Sequence, residues 1–392
     1  MVLARRYVAL LLFAVWLGSC GGRLVEVVPA DVAQPAAFPS KDANSAAVDS
    51  VLSASEDADS AVVTAVATVA TPSASWNAES TPSAPPPATR PSPTATPVAP
   101  TPVPTPDPYA PLTIDALAAR AYGGGLIEIV DTLETTATFA RYLIKYPSDG
   151  LTVYGYMNVP HEGDNFPVAL VLHGYIDPDE YETVAYTKRY ADALAEAGYF
   201  VIHPNFRNYP PSDSGPDPFR IGYALDVLNL IAIIREQSQD ALGTLRRADA
   251  DAIHLWGHSM GGGVALRVLA VNPAPYLRAA VLYGSMSGDE AQNYGRIRQW
   301  AGSERARFEL GASPEALAAI SPSAHLERIE AAVAVHHSEA DDVVPVAWSR
   351  QLCEALAELS AAGEIPHAPE CHFYQLQPVA QDSYPVLFIA AQ

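Results

Sequence analysis

The stretch IHLWGHSMGGGVALRVLAV, Ile253 to Val271, passes from a strand into a helix through a handful of residues. Ile253 to Trp256 is a short apolar run of strand character, and Val264 to Val271 continues as a helix that Asn272-Pro273 ends. Between them stands Gly257-His258-Ser259-Met260-Gly261, a G-x-S-x-G pentapeptide. That pattern, set between a strand and a helix, is the signature of a nucleophile elbow. A tight turn holds the serine in a strained conformation, and the two glycines leave room for neighbouring backbone. The helix that starts there aims unpaired N–H groups and its positive dipole end at the hydroxyl.

Working outward, the same alternation repeats. Arg141 to Pro160 reads as two strands around Pro147-Ser148-Asp149-Gly150, a hairpin signal. Pro167 to His173 is a continuous apolar run, as expected of a strand buried on both faces. Tyr181 to Gly198 reads as a helix and Tyr199 to Pro204 as the next strand. Ile221, Leu225, Leu228 and Ile231 recur at helical spacing. Ala279 to Tyr283, Ala331 to His336 and Cys371 to Leu376 supply three more strands. Strands alternating with helices predict an α/β domain over 109–392, a mostly parallel sheet with helices on both faces. Functional loops then belong at the carboxyl ends of the strands.

With these pieces in view, the segment from about Arg141 to Leu376 resembles the α/β-hydrolase fold. It is most similar to the catalytic domains of the prolyl oligopeptidase family and to dienelactone-hydrolase-like esterases. The resemblance rests on Ser148-Asp149-Gly150 with Gly155-Tyr156, on His173-Gly174-Tyr175, on Gly257 to Gly262 and on His337 to Pro345. It implies an oxyanion hole made by the backbone N–H groups of Met260 and Tyr175. It implies an acid at Asp341, in a loop that resembles the family's H-G-x-x-D-x-x-V-P with Ser338 in place of the glycine; Asp342 is the neighbour that a register error would select. An insert at about 285–325, carrying Arg296, Arg298, Trp300, Arg305 and Arg307, corresponds to a cap over the site, with its arginines read as a solvated helix face.

The general base is where this chain departs from the pattern. A serine hydroxyl needs one within hydrogen-bond reach. The family places its histidine after the last strand, but Gln377 to Gln392 contains none, as though the C-terminus were shortened or its last stretch replaced. His372 is the nearest candidate and falls inside the predicted strand; His367 precedes it. His258 adjoins the serine but is expected to point elsewhere, and His203, His254 and His336 read as packed residues of apolar strands. No His, Cys or carboxylate cluster has metal-ligand spacing, and serine chemistry needs no cofactor.

The N-terminal third is of another kind. Arg5 and Arg6 precede the apolar run Tyr7 to Trp16, which is shorter than the ~20 residues a membrane-spanning helix needs. Leu17-Gly18-Ser19-Cys20 resembles the bacterial lipobox, so residues 1–19 are expected to be a signal peptide and Cys20 the lipidated first residue of the mature chain. Sixteen of the 35 prolines fall between Pro29 and Pro108. Proline lacks an N–H and fixes φ, so 20–108 is expected to be a disordered, extended tether. Cys353 and Cys371 can pair across 18 residues in an oxidising compartment; two unpaired thiols are the preferred reading.

A formal charge of −21 argues against nucleic acid as a partner. The expected protein is a lipid-anchored, extracytoplasmic serine hydrolase, taking small esters or short peptides and amides. The competing expectation is a pseudo-hydrolase that binds a partner in the same cleft without turnover.

Overall fold

The computed structural model describes residues 107–301 and 307–375. The expected signal peptide, Cys20 and the expected tether as far as residue 106 lie outside the described residues, as do Arg305 and nearly all of the stretch after the last strand. A short helix α1 (Ile114–Ala118) leads into strands β1 (Glu128–Thr135), β2 (Phe139–Ser148), β3 (Leu151–Pro160) and β4 (Phe166–Leu172). There follow α2 (Lys188–Glu196), β5 (Phe200–Pro204), α3 (Ile221–Gln237), β6 (Ala248–His258) and α4 (Met260–Val271). The chain continues through β7 (Leu277–Tyr283), α5 (Glu290–Ala301), α6 (Arg307–Leu310), α7 (Pro314–Ile320), β8 (Ala332–Ser338), α8 (Val346–Ala362) and β9 (Glu370–Tyr374).

The nine strands form one sheet in the order β1-β2-β3-β5-β4-β6-β7-β8-β9. From β1 to β5 the pairs are antiparallel; from β5 through β4 to β9 they are parallel. The parallel half comes from the apolar runs. Along β6, Ile253, Leu255 and Gly257 are buried, while His254, Trp256 and His258 between them are half-buried. Ile253 and Leu255 therefore join the large core with α3 and α4, and Trp256 packs against the smaller core that Ala191 and Ala195 of α2 cover. Burying an aliphatic side chain contributes about 1.5–3 kcal/mol. This layered core sets the carboxyl ends of β4, β6, β7 and β8 side by side.

Three expectations change. The helix expected over Tyr181–Gly198 begins only at Lys188, because Thr187 before it adopts the left-handed region (φ 46°) and Tyr181 buries its ring against His173 and Tyr209 instead. β1 went unread: all eight residues are exposed, and two register irregularities against β2 break the alternation that marks a strand. The cysteines are bonded, not free thiols. α8 runs back onto β9 and sets the Cα atoms of Cys353 and Cys371 6.4 Å apart, within disulfide range. Closing a loop of this length contributes about 3 kcal/mol.

Candidate active site

Ser259 sits between β6 and α4 at φ 51°, ψ −115°, a backbone region costly for any residue with a β-carbon. Its surroundings hold it there. Its N–H donates to the Tyr283 carbonyl (2.9 Å), and its own carbonyl accepts from Gly262 (3.0 Å), Gly263 (3.3 Å) and Met286 (3.0 Å). The flanking glycines are steric necessities. A β-carbon on Gly261 would lie 2.1 Å from the Leu172 carbonyl oxygen, and one on Gly257 2.4 Å from that of Gly261. Ser259 is half-exposed, and its Oγ makes no hydrogen bond among the described residues. The bend thus presents a solvent-accessible hydroxyl.

Met260 opens α4, so its N–H has no partner within the helix. Tyr175 follows Gly174 in the loop after β4 and is 59% exposed. Gly174 touches the elbow: a β-carbon there would meet His258 Nδ1 at 3.0 Å and Ser259 Cβ at 3.2 Å. A chain of buried polar contacts pins this loop. Asp226 receives the Arg207 N–H (2.7 Å) and guanidinium (2.8 Å). Beside Arg207, the Asn205 carbonyl faces His173 Nε2 (2.9 Å), while His173 Nδ1 faces the Gly174 carbonyl (2.7 Å). Burial is the largest influence on His173 and lowers its pKa, so the ring is neutral near pH 7 and donates only one of these bonds.

Asp341 lies in the loop after β8. Its Oδ1 accepts from the N–H groups of Val343 (2.9 Å) and Val344 (2.8 Å), and Oδ2 lies 3.2 Å from His337 Nε2. Burial pushes this carboxyl up, but the bonds from His337, Val344 and Val343 outweigh it and hold the pKa below the usual range. Oδ2 also faces Gly284, at the carboxyl end of β7 beside the elbow. Arg296 of α5 clasps the acid loop, donating to the carbonyls of Asp342 (2.6 Å) and Val343 (3.1 Å). That corrects the reading of its guanidinium as part of a solvated face. The sequence carries no local signal for this clasp, because the two segments are 46 or more residues apart.

The structure does not bring His372 to Ser259. Strand pairing aligns His258 with Tyr283, Tyr283 with His336 and His336 with His372. At about 4.8 Å per strand, His372 is roughly 14 Å from His258, far beyond hydrogen-bond reach. Its ring stacks on His336 (4.7 Å) instead. His367 lies in the turn region before β9. His258 is nearer the serine, but its Nδ1 pairs with the Tyr186 hydroxyl (2.9 Å). Burial lowers its pKa to about 4, against the opposing charge of Asp341; so weak a base suits packing better than proton abstraction at neutral pH. His203 pairs with the Thr187 hydroxyl (2.6 Å) and His254 faces the Val168 carbonyl (3.1 Å), both as packed strand residues. Among the described residues no group of three or more His, Cys, Asp or Glu side chains is placed to hold a metal ion.

A serine on a strained strand–helix bend, in a mostly parallel sheet of this strand order, with an acid loop beyond the neighbouring strands, defines the α/β-hydrolase class. A family model described as the alpha/beta hydrolase fold matches residues 167–384, more than half of the chain, and the chain belongs to that family. Acetyl xylan esterase 1 from Thermoanaerobacterium sp. JW/SL YS485 is a solved structure similar to it, at 17% identity and a TM-score of 0.50, covering 71% of this chain and 91% of the esterase. An acetyl xylan esterase from Paenibacillus sp. R4 matches at 16% identity and a TM-score of 0.46, covering 69% of this chain and 87% of its own. The acylaminoacyl peptidase of Pyrococcus horikoshii matches at 19% and 0.46; the match covers 62% of this chain but only 38% of the peptidase. No curated protein matches the chain. At these identities the likeness is one of fold.

Proposed function

We propose that this protein is a serine hydrolase that cleaves small esters, or short peptides and amides, through an acyl-enzyme on Ser259. The observation that carries the reading is the bend itself: φ 51° at a half-exposed serine whose successor opens a helix. A strained backbone that the surrounding bonds over-determine is a mark of function. In the reaction, Oγ attacks the acyl carbonyl while its proton passes to solvent water, which returns a proton to the departing alcohol or amine. The oxyanion that forms is held by the N–H groups of Met260 and Tyr175, each such donor being worth about 3–4 kcal/mol in the transition state. Collapse expels the alcohol or amine, and water then releases the acid. Asp341, ionised across the neutral range, supplies the negative charge that a cationic proton acceptor needs. The proton acceptor itself is the one component to which no residue is assigned. The reading includes an extracytoplasmic, lipid-anchored location through Cys20; the Cys353–Cys371 disulfide supports it, since such bonds persist in oxidising compartments.

The test is labelling with a fluorophosphonate probe. Wild-type protein takes up one equivalent and Ser259→Ala none. Folded wild-type protein that stays unlabelled overturns the enzymatic reading in favour of a binding protein. Metabolic labelling with a fatty-acid analogue, lost in Cys20→Ser, checks the anchor.

A further inference from the structure

The acid candidate is held from outside its own loop. His337, four residues earlier on β8, is fully buried. Its Nε2 lies 3.1 Å from the Val344 carbonyl and 3.2 Å from Asp341 Oδ2. A carbonyl and an ionised carboxylate only accept, so Nε2 carries a hydrogen. On the other side of the ring, Nδ1 meets the Ser349 hydroxyl at 2.7 Å. Ser349 is buried near the start of α8, 12 residues along the chain from His337. With the hydrogen on Nε2 of a neutral ring, Nδ1 accepts, and the serine hydroxyl is the group that donates to it. Ser349 thus fixes which edge of the ring turns toward the acid.

The contacts around the carboxylate differ in what they anchor. The N–H groups of Val343 and Val344 hold Oδ1, but they belong to the loop and move with it. His337 belongs to a strand of the sheet, and its Nε2 meets the loop at both Asp341 and Val344. It therefore ties the loop to the sheet. Oδ2, the oxygen it faces, also lies against Gly284, 3.4 Å from a β-carbon built there. Gly284 follows Tyr283, whose carbonyl takes the Ser259 N–H. The carboxylate is in this way fixed relative to the elbow as well as within its loop. Burial pushes the Asp341 carboxyl up, and the bond from His337 is the largest of the influences that bring it down.

We infer that His337, oriented by Ser349, is a positioning residue that holds the Asp341 carboxylate in the geometry the reaction needs. Among the described residues neither bonds to Ser259, so both act through Asp341. The inference rests on the reading of Ser259 as nucleophile and Asp341 as its acid. A misplacement of about 1 Å can cost about 100-fold in rate, so the smaller shift that losing the ring permits is expected to cost about 30-fold.

Full-length protein carrying His337→Leu, His337→Gln or Ser349→Ala tests it, with fluorophosphonate labelling as the rate and thermal unfolding as the check of folding. Leucine fills the space without a donor, whereas glutamine restores an N–H. Labelling is expected to slow by about 30-fold in His337→Leu, to stay within about 5-fold of wild type in His337→Gln, and to slow by about 5-fold in Ser349→Ala. The deciding comparison repeats the substitutions in Asp341→Asn. A residue that acts through the carboxylate has little left to do there, so His337→Leu or Ser349→Ala is expected to slow labelling by less than about 2-fold more. An equal loss in both backgrounds means a structural role only and overturns the assignment, as does equal labelling of the leucine and glutamine variants. If His337→Leu does not fold, Ser349→Ala decides by the same comparison. The two readings fail separately. Labelling with equal losses leaves the hydrolase and removes the positioning role. If folded wild type is not labelled, the hydrolase is removed, and the Asp341 carboxyl titration, followed by NMR, decides the rest. It is expected to move upward in His337→Leu and to stay in place in His337→Gln. His258 of β6, Tyr283 of β7 and Arg296 of α5, which also face Asp341 or its loop, are the same in every variant. A titration unmoved in His337→Leu overturns the contact as well.

Discussion

The carboxyl end of β6 and the carboxyl end of β9 lie in the same row of one sheet, yet they differ in what surrounds them. At β6 the chain is held from every side: Tyr283, Met286, Gly262 and Gly263 bond the backbone of Ser259, and Leu172 and His173 press on Gly261. Among the described residues β9 is the last strand of the sheet, paired only with β8 and tied down by one disulfide to α8. His372 sits there, stacked on His336 and three strands from the serine. Position in a catalytic array follows from strand order and loop direction. Nearness to the end of the chain says little about it.

The largest effect that sharpens this contrast is expected from Gly261→Ala. Its β-carbon would overlap the Leu172 carbonyl, and the rigid strand cannot yield; a loss of ~3 kcal/mol or more in denaturant unfolding is expected. A near-normal midpoint would mean that the elbow is looser than its contacts suggest. Asp341→Asn comes next. Asparagine keeps an Oδ1 to accept from Val343 and Val344, so the loop should hold, while the charge is lost; the fluorophosphonate labelling rate is expected to fall about 100-fold or more. An undiminished rate would remove Asp341 from the machinery. Gly174→Ala probes the seam between oxyanion loop and elbow. The new methyl would sit against His258 and Ser259, and a displacement of a few tenths of an ångström should slow labelling by about 10-fold with little change in melting temperature. His372→Ala marks the other end of the row, and less than a 2-fold change in labelling is expected. A drop of 10-fold or more would break the comparison and return His372 to the site.

Much of this architecture was legible because apolar runs and glycine spacing are local. The hairpin around Asp149-Gly150, the buried β4 and the bend at Ser259 each carry their signal within about ten residues. β1 hid because its apolar residues Ile129, Val130 and Leu133 do not alternate with polar ones, and its pairing is irregular. Arg296 on the acid loop hid because its partners are set by the path of α5, which no short window contains. The disulfide was open in the sequence for the same reason: spacing allows both states, and only the return of α8 onto β9 brings the sulfurs together.

Sequence alone determined the class of domain and singled out the serine proposed here as nucleophile, because steric demands on a strand–turn–helix bend are written in adjacent residues. Tertiary structure alone decided which histidines stand near that residue and which arginines are engaged. Those outcomes depend on the order of strands across the sheet and on which loops meet at its edge, distances that the chain acquires only when it folds.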